Sequence, residues 1–223
     1  MTRRILIAVA VILLLAGAAQ ADEKFEHATI RLEQSVTDKD AEIMLEATGG
    51  DAGLATLKIV APDGRVVADF KMPDSKLGLR HFKLESPEPK NDGHIQADFP
   101  AGEYTFTGTT TSGVKLHSKA PLSHKLPDAT SFMQPSPDAK GVPVKGLTVK
   151  WRSVKNLAAY IITIEQEKTD IKLSATLPAT TTTFALPDGF LTPNTEYKVA
   201  ISTVSPEGNM SAIETSFVTG GKK

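Results

Sequence analysis

The side chains able to do chemistry are scattered along the chain. The histidines are His27, His81, His94, His117 and His124. None forms His-Glu-x-x-His or another close pair that would bring two imidazoles to one zinc ion. His117 and His124 bracket one expected strand, and their odd separation puts them on opposite faces of it. There is no cysteine, which removes disulfides, thiolate metal sites, thiol nucleophiles and a lipidated N-terminal cysteine. The serines lack a Gly-x-Ser-x-Gly elbow, and neither a phosphate-binding Gly-x-x-x-x-Gly-Lys loop nor a dinucleotide-binding glycine turn occurs.

Carboxylates are plentiful, so their grouping decides what they can do. Calcium takes six to eight oxygen ligands. Gly49-Gly50-Asp51, the pair Asp38 and Asp40, and Asn91-Asp92-Gly93 could each supply an oxygen or two. None continues into the spaced ladder of an EF-hand, so turn chemistry is the reading for all three. Glu85 and Glu88 flank proline in a polar stretch that continues through Asn91 and His94. These four residues are the candidate contact surface, on a loop expected over about 85–99. No catalytic, cofactor-binding or metal-ligating set is expected.

The elements that must carry these residues are strands. Polar and apolar residues alternate in Glu42-Ile43-Met44-Leu45-Glu46, Tyr104-Thr105-Phe106-Thr107 and Tyr197-Lys198-Val199-Ala200-Ile201, among others. Short alternating runs about ten residues apart predict a sandwich or barrel. Pro62-Asp63-Gly64 and Pro206-Glu207-Gly208-Asn209 supply turn chemistry between them. The proline-punctuated stretch Pro127 to Gly146 separates two groups of strands. The fold expected is all-β, with two tandem sandwich domains: an immunoglobulin-like domain at 22–127, a second domain at 128–220, and a tail at 221–223.

The first 21 residues have a different character. Arg3 and Arg4 precede an apolar run from Ile5 to Ala16, and Ala19-Gln20-Ala21 follows. That order predicts a cleaved signal peptide over 1–21 and a periplasmic or secreted protein of a bacterial envelope. Cleavage leaves a net charge of −3, from 23 basic and 26 acidic residues. Residues 22–127 hold 13 basic and 17 acidic residues, so the acidic excess lies in the first domain. This charge argues against nucleic-acid binding through a basic footprint. No later stretch reaches the ~20 apolar residues needed to span a bilayer.

In the second half, Trp151 precedes Tyr160, and Leu191-Thr192-Pro193-Asn194-Thr195-Glu196-Tyr197 enters a later strand. This combination resembles the fibronectin type III family over about 128–220. The resemblance implies a sandwich in which Tyr197 makes a tyrosine corner above Leu191, with its hydroxyl bonded back to nearby backbone. Phe99-Pro100-Ala101-Gly102-Glu103-Tyr104 resembles the turn that enters a late strand of many extracellular sandwiches. The whole chain is similar to exported bacterial envelope proteins that carry an N-terminal β domain before a fibronectin type III module, a resemblance that implies no catalytic residues.

The function expected is that of a non-catalytic binding or adaptor protein with a protein partner in the envelope, engaged through loops or sheet edges. A carbohydrate- or cell-wall-binding module is the alternative, with Phe190 its main candidate for an exposed aromatic. A calcium-dependent adhesive module is the other.

Overall fold

The computed structural model describes residues 22–74, 76–88 and 92–221. The expected signal peptide and Asn91 lie outside them. The chain is all-β. Its first half contains β1 (His27–Ser35), β2 (Asp40–Thr48), β3 (Leu54–Val60), β4 (Val66–Lys71), β5 (His81–Glu85), the helix α1 (Asp92–Asp98), β6 (Gly102–Thr110) and β7 (Lys115–Leu122). The second half contains β8 (Phe132–Gln134), β9 (Ala139–Val142), β10 (Thr148–Trp151), β11 (Ala159–Gln166), β12 (Ile171–Pro178), β13 (Thr183–Ala185), β14 (Glu196–Val204) and β15 (Met210–Thr219).

Both halves are wired alike. In the first, β1-β2-β5 packs against β4-β3-β6-β7; in the second, β13-β10-β8 packs against β12-β11-β14-β15. Alternation explains the packing, because successive side chains of a strand point to opposite faces. Ile30, Leu32, Ile43 and Leu45 therefore meet Leu57, Ile59, Tyr104 and Phe106 in one buried core. Val149, Trp151, Ile162, Tyr197, Val199 and Phe217 form a separate one.

The turns read from the sequence hold their strands. At Pro62-Asp63-Gly64, the Gly64 N–H donates to the Ala61 carbonyl at 3.0 Å, and Gly64 has φ of 86°. Gly102, at the start of β6, has φ of 143°, and an added Cβ would stand 2.8 Å from Pro62 Cγ. Glycine is the residue that fits both demands.

Two segments differ from expectation. The stretch 92–98, expected as part of a projecting loop, is helical, and Ile95 is buried in the first core. The stretch Pro127 to Gly146, read as separating two groups of strands, itself supplies β8 and β9.

The two sandwiches share a sheet. β1 pairs in parallel with β15, with Glu33, Gln34 and Ser35 opposite Met210, Ser211 and Ala212. The three-stranded sheet of the first half thus continues into the five-stranded sheet of the second, in the order β12-β11-β14-β15-β1-β2-β5, with β9 also paired to β15. Just past this pairing, the Val36 N–H donates to the Ala212 carbonyl at 2.8 Å. Thr37 Oγ1 accepts from the Glu214 N–H at 2.9 Å.

Asn209 closes the seam from the other side and is 1% exposed. Its Oδ1 accepts from the Leu32 N–H at 2.9 Å. Its Nδ2 donates toward the Ser123 carbonyl at 2.9 Å, Ser123 Oγ at 3.0 Å and the Lys125 carbonyl at 3.0 Å. Ser211 Oγ donates to the Pro127 carbonyl at 2.7 Å. Buried polar groups are costly unless paired, and here two side chains of the second half find their partners in the first.

Candidate functional site

The junction creates a polar face. On β1 the side chains of Arg31, Glu33 and Ser35 alternate with the buried Ile30 and Leu32 and point away from the core. On β2, Asp40, Glu42, Met44 and Glu46 do the same. Register sets Glu33 opposite Glu42 and Ser35 opposite Asp40. Where this face meets β15, a cleft of about 380 Å³ is lined by Glu33, Asp38, Asp40, Glu42 and Glu88, with Met210 and Ala212 across the seam.

Glu42 shows the electrostatic consequence. Burial pushes its carboxyl up to about 7, and the nearby charges of Glu33, Glu85 and Glu88 push the same way, opposed by Lys83. A carboxyl whose pKa is higher folded than unfolded binds its proton more tightly in the folded state. Its protonation therefore adds stability that is fully present below pH 4.5 and is lost as pH rises through about 7. Glu42→Gln keeps the neutral shape at all pH values. The expected result is a melting temperature above wild type at pH 8 and equal to it near pH 4, read by thermal denaturation at the two values.

The residues singled out from the sequence fall as follows. Glu85 ends the edge strand β5 and is exposed; Lys83 Nζ lies 2.5 Å from its Oε1. That hydrogen bond is the main cause holding the Lys83 ammonium above its ordinary value. Glu88 follows the strand, exposed, and reaches the cleft. Glu85 and Glu88 are thus brought together through Glu42. His94 is exposed on α1, outside the residues that line the cleft. Asn91 lies outside the described residues. Sequence reading missed Glu33 and Glu42, whose alternation with apolar neighbours marked them only as outward-facing.

Two of the carboxylates weighed for calcium, Asp38 and Asp51, serve a turn and an ion pair. Asp38 Oδ2 accepts from Ser35 Oγ at 2.7 Å, and Asp51 pairs with Arg80 at 2.7 Å. His124 Nε2 lies 2.8 Å from the Phe99 carbonyl, and His117 sits within β7. Further along the outer face of β2, Arg31 Nη1 donates to Glu46 Oε2 at 2.6 Å and Arg31 Nε to Glu33 Oε1 at 2.7 Å. Burial raises the Glu46 carboxyl, but the hydrogen bond and charge of Arg31, with His27 and His81 adding, hold it below its ordinary value.

The second half has the internal geometry expected of a fibronectin type III sandwich. Trp151 is fully buried and meets Tyr160 edge-on, with ring centroids 5.5 Å apart. Tyr197 Oη accepts from the Thr192 N–H at 2.9 Å above the buried Leu191, which is the tyrosine corner. The fold is fibronectin type III-like. The first half carries a counterpart, with Tyr104 Oη donating to the Pro100 carbonyl at 3.2 Å. Burial pushes that phenol up to about 12.

No family model matches the chain, and no curated protein does. Among solved structures it is similar to a two-domain fibronectin type III segment of chicken tenascin, at 16% identity, over 85% of this chain and 97% of that one, with a TM-score of 0.34. It is also similar to the fibronectin(III)-like modules of Clostridium thermocellum CbhA, at 7% identity over 92% and 93%, with a TM-score of 0.34. The FN1–FN3 domains of chicken CNTN1 match at 13% identity over 88% of this chain and 67% of that one, with a TM-score of 0.33.

Proposed function

We infer that this chain is an exported, non-catalytic adaptor of a bacterial envelope, which holds a protein partner on a body made of two joined sandwiches. The observation that carries this reading is the seam. A sheet that runs through both halves, stitched by Asn209, fixes their mutual orientation and presents one extended surface. Such a surface suits recognition, because binding costs less when the interface is already ordered.

The contact region in this reading is the acidic junctional face, with Glu85 and Glu88 at its rim. Its charge favours a partner segment bearing lysine or arginine, and charge complementarity steers encounter. The free edges of the long sheet, at β5 and β12, offer unpaired backbone groups for strand addition. β1 and β15 are less available for this, since each spends part of its outer edge on the other. Export rests on the Arg3-Arg4, apolar and Ala19-Gln20-Ala21 pattern of the sequence.

The carbohydrate alternative needs exposed aromatic rings. Among the described residues, the exposed large hydrophobics are Val36, Val66, Leu77, Met133 and Ile171, none aromatic. Phe190, the candidate platform, packs against the second core with its ring 6.1 Å from Tyr197. The surface therefore favours protein recognition over sugar stacking.

The test is an in-cell crosslinking pull-down with mass spectrometry, comparing wild type with Glu85→Lys/Glu88→Lys. A protein recovered in comparable amount with wild type, and at least fivefold less with the variant, is the expected result. Both side chains are exposed, so the melting temperature should move little. Equal recovery with both proteins would remove this face from the interface. Recovery of polysaccharide without any protein would replace the adaptor reading with the glycan one.

A further inference from the structure

The outward-facing side chains of the long sheet change in kind at the seam. Successive residues of a strand point to opposite faces, and the strand registers align the outward ones into rows that cross the sheet. One row runs from Ala159 through Val204 and Met210 to Glu33 and Glu42. The next runs from Ile161 through Ser202 and Ala212 to Ser35 and Asp40. The second-half part of each row carries no charge, and each row ends in carboxylates on the first half. An antiparallel sheet with one face on a core usually shows polar residues on the other. Here β11 and β14 place Ala159, Ile161, Ala200 and Val204 on that outer face, all half-buried. Met210 and Ala212 extend this apolar strip and also form one wall of the acidic cleft. Strip and cleft are therefore one continuous surface that crosses the seam.

We propose that this surface docks an amphipathic helix of a partner protein, which lays apolar side chains on the strip and sets a lysine or arginine in the cleft. The inference rests on the adaptor reading above and adds to it the kind of segment that is held. β11 is paired on both sides by β12 and β14, and β14 by β11 and β15. Their backbone groups are spent within the sheet, so the face offers side chains alone. A helix suits such a face because it satisfies its own backbone hydrogen bonds. Burial of apolar side chains on the strip supplies attraction, and charge fixes the direction in which the helix lies. Glu33 already meets Arg31 at 2.7 Å, and the incoming cation balances the carboxylates of Asp40, Glu42 and Glu88. Neighbouring strands lie about 4.8 Å apart, so the three spacings from Ile161 on β11 to Ser35 on β1 cover roughly 14 Å, about nine residues of helix.

The test is photo-crosslinking in cells with the full chain, carrying the photoreactive amino acid at Ile161, at Ser35 or at Lys150. Lys150 is exposed on β10 in the other sheet of the second half and serves as the control. Mass spectrometry identifies each captured peptide and the residue that bears the adduct. The expected result is one partner protein captured from both Ile161 and Ser35, at least fivefold more than from Lys150. The two adducts should fall within about ten residues of each other on that partner, the span of the same distance in helix. The Ile161 adduct should lie on an apolar residue, and a lysine or arginine should lie within a turn of the Ser35 adduct. Adducts on two different proteins, on lipid, on a second copy of the chain or on a segment without a cation would overturn the proposal. So would capture at Ile161 no greater than at Lys150. If the pull-down above still recovers a protein in those cases, the adaptor reading outlives this one; if it recovers none, the adaptor reading falls as well.

Discussion

Asn209→Leu will split the unfolding of the two sandwiches into separate transitions. Leucine matches asparagine closely in size, so the substitution removes polarity rather than volume. It leaves the Leu32 N–H and the Ser123 and Lys125 carbonyls without the partner they have in the folded protein. Each buried group left unpaired costs about 1–3 kcal/mol, and relaxation and water entry recover part of that, so a total of about 3–5 kcal/mol is expected. Trp151 is the chain's one tryptophan and lies in the second core, so its fluorescence reports that half alone. Far-UV circular dichroism reports both. In wild type the two denaturation curves should coincide, as they do for a cooperative unit. In Asn209→Leu they should separate and move to lower denaturant. Coincident curves at an unchanged midpoint would mean that the stitch contributes nothing.

Trp151→Ala should destabilise the second sandwich by about 3–5 kcal/mol, the usual cost of deleting a large buried aromatic. Trp151 is 1% exposed and packs edge-on against Tyr160, so the cavity opens in the middle of the core. The effect should also cross the seam. The Leu32 amide bonds to Asn209 Oδ1, and the Val36 amide to the Ala212 carbonyl. Both acceptors belong to the second half, so both amides, which belong to the first, should lose protection in hydrogen exchange. The Ile59 amide, in the β3 ladder of the first sandwich, should keep most of its protection. Leu32 and Val36 exchanging at the wild-type rate would show that the halves are energetically separate.

Much of the fold could be read from the sequence because strand alternation and turn chemistry are local. Pro-Asn-Thr-Glu-Tyr at 193–197 announces a tyrosine corner, and the Tyr197 hydroxyl accepts from the Thr192 N–H as the motif requires. Pro-Ala-Gly-Glu-Tyr at 100–104 announces only a turn that enters a strand, and the bond from the Tyr104 hydroxyl to the Pro100 carbonyl emerges from the structure. The helix α1 escaped because seven residues complete barely two turns, too few for a 3.6-residue period to register. The seam escaped for a different reason. Leu32 and Asn209 are 177 residues apart. A parallel pairing of three residues leaves no pattern in either strand, and Asn209 follows Pro206-Glu207-Gly208 as an ordinary turn residue would.

The candidate site was legible in part. Glu85 and Glu88 could be read as exposed because proline and polar neighbours surround them. Glu42 could not, because its environment is set by Glu33 on the next strand and by chain far along the sequence. His27 and His81 each approach Glu46 only through the registers of β1 with β2 and of β2 with β5, and neither register is written in the spacing of the histidines themselves.

Residual dipolar couplings, measured for backbone amides of both sandwiches in one alignment medium, test most directly whether the seam makes them a single rigid body. A single alignment tensor should fit residues 25–122 and 132–219 together. Two tensors differing in magnitude or orientation would contradict it, and with it the extended surface on which the adaptor reading depends.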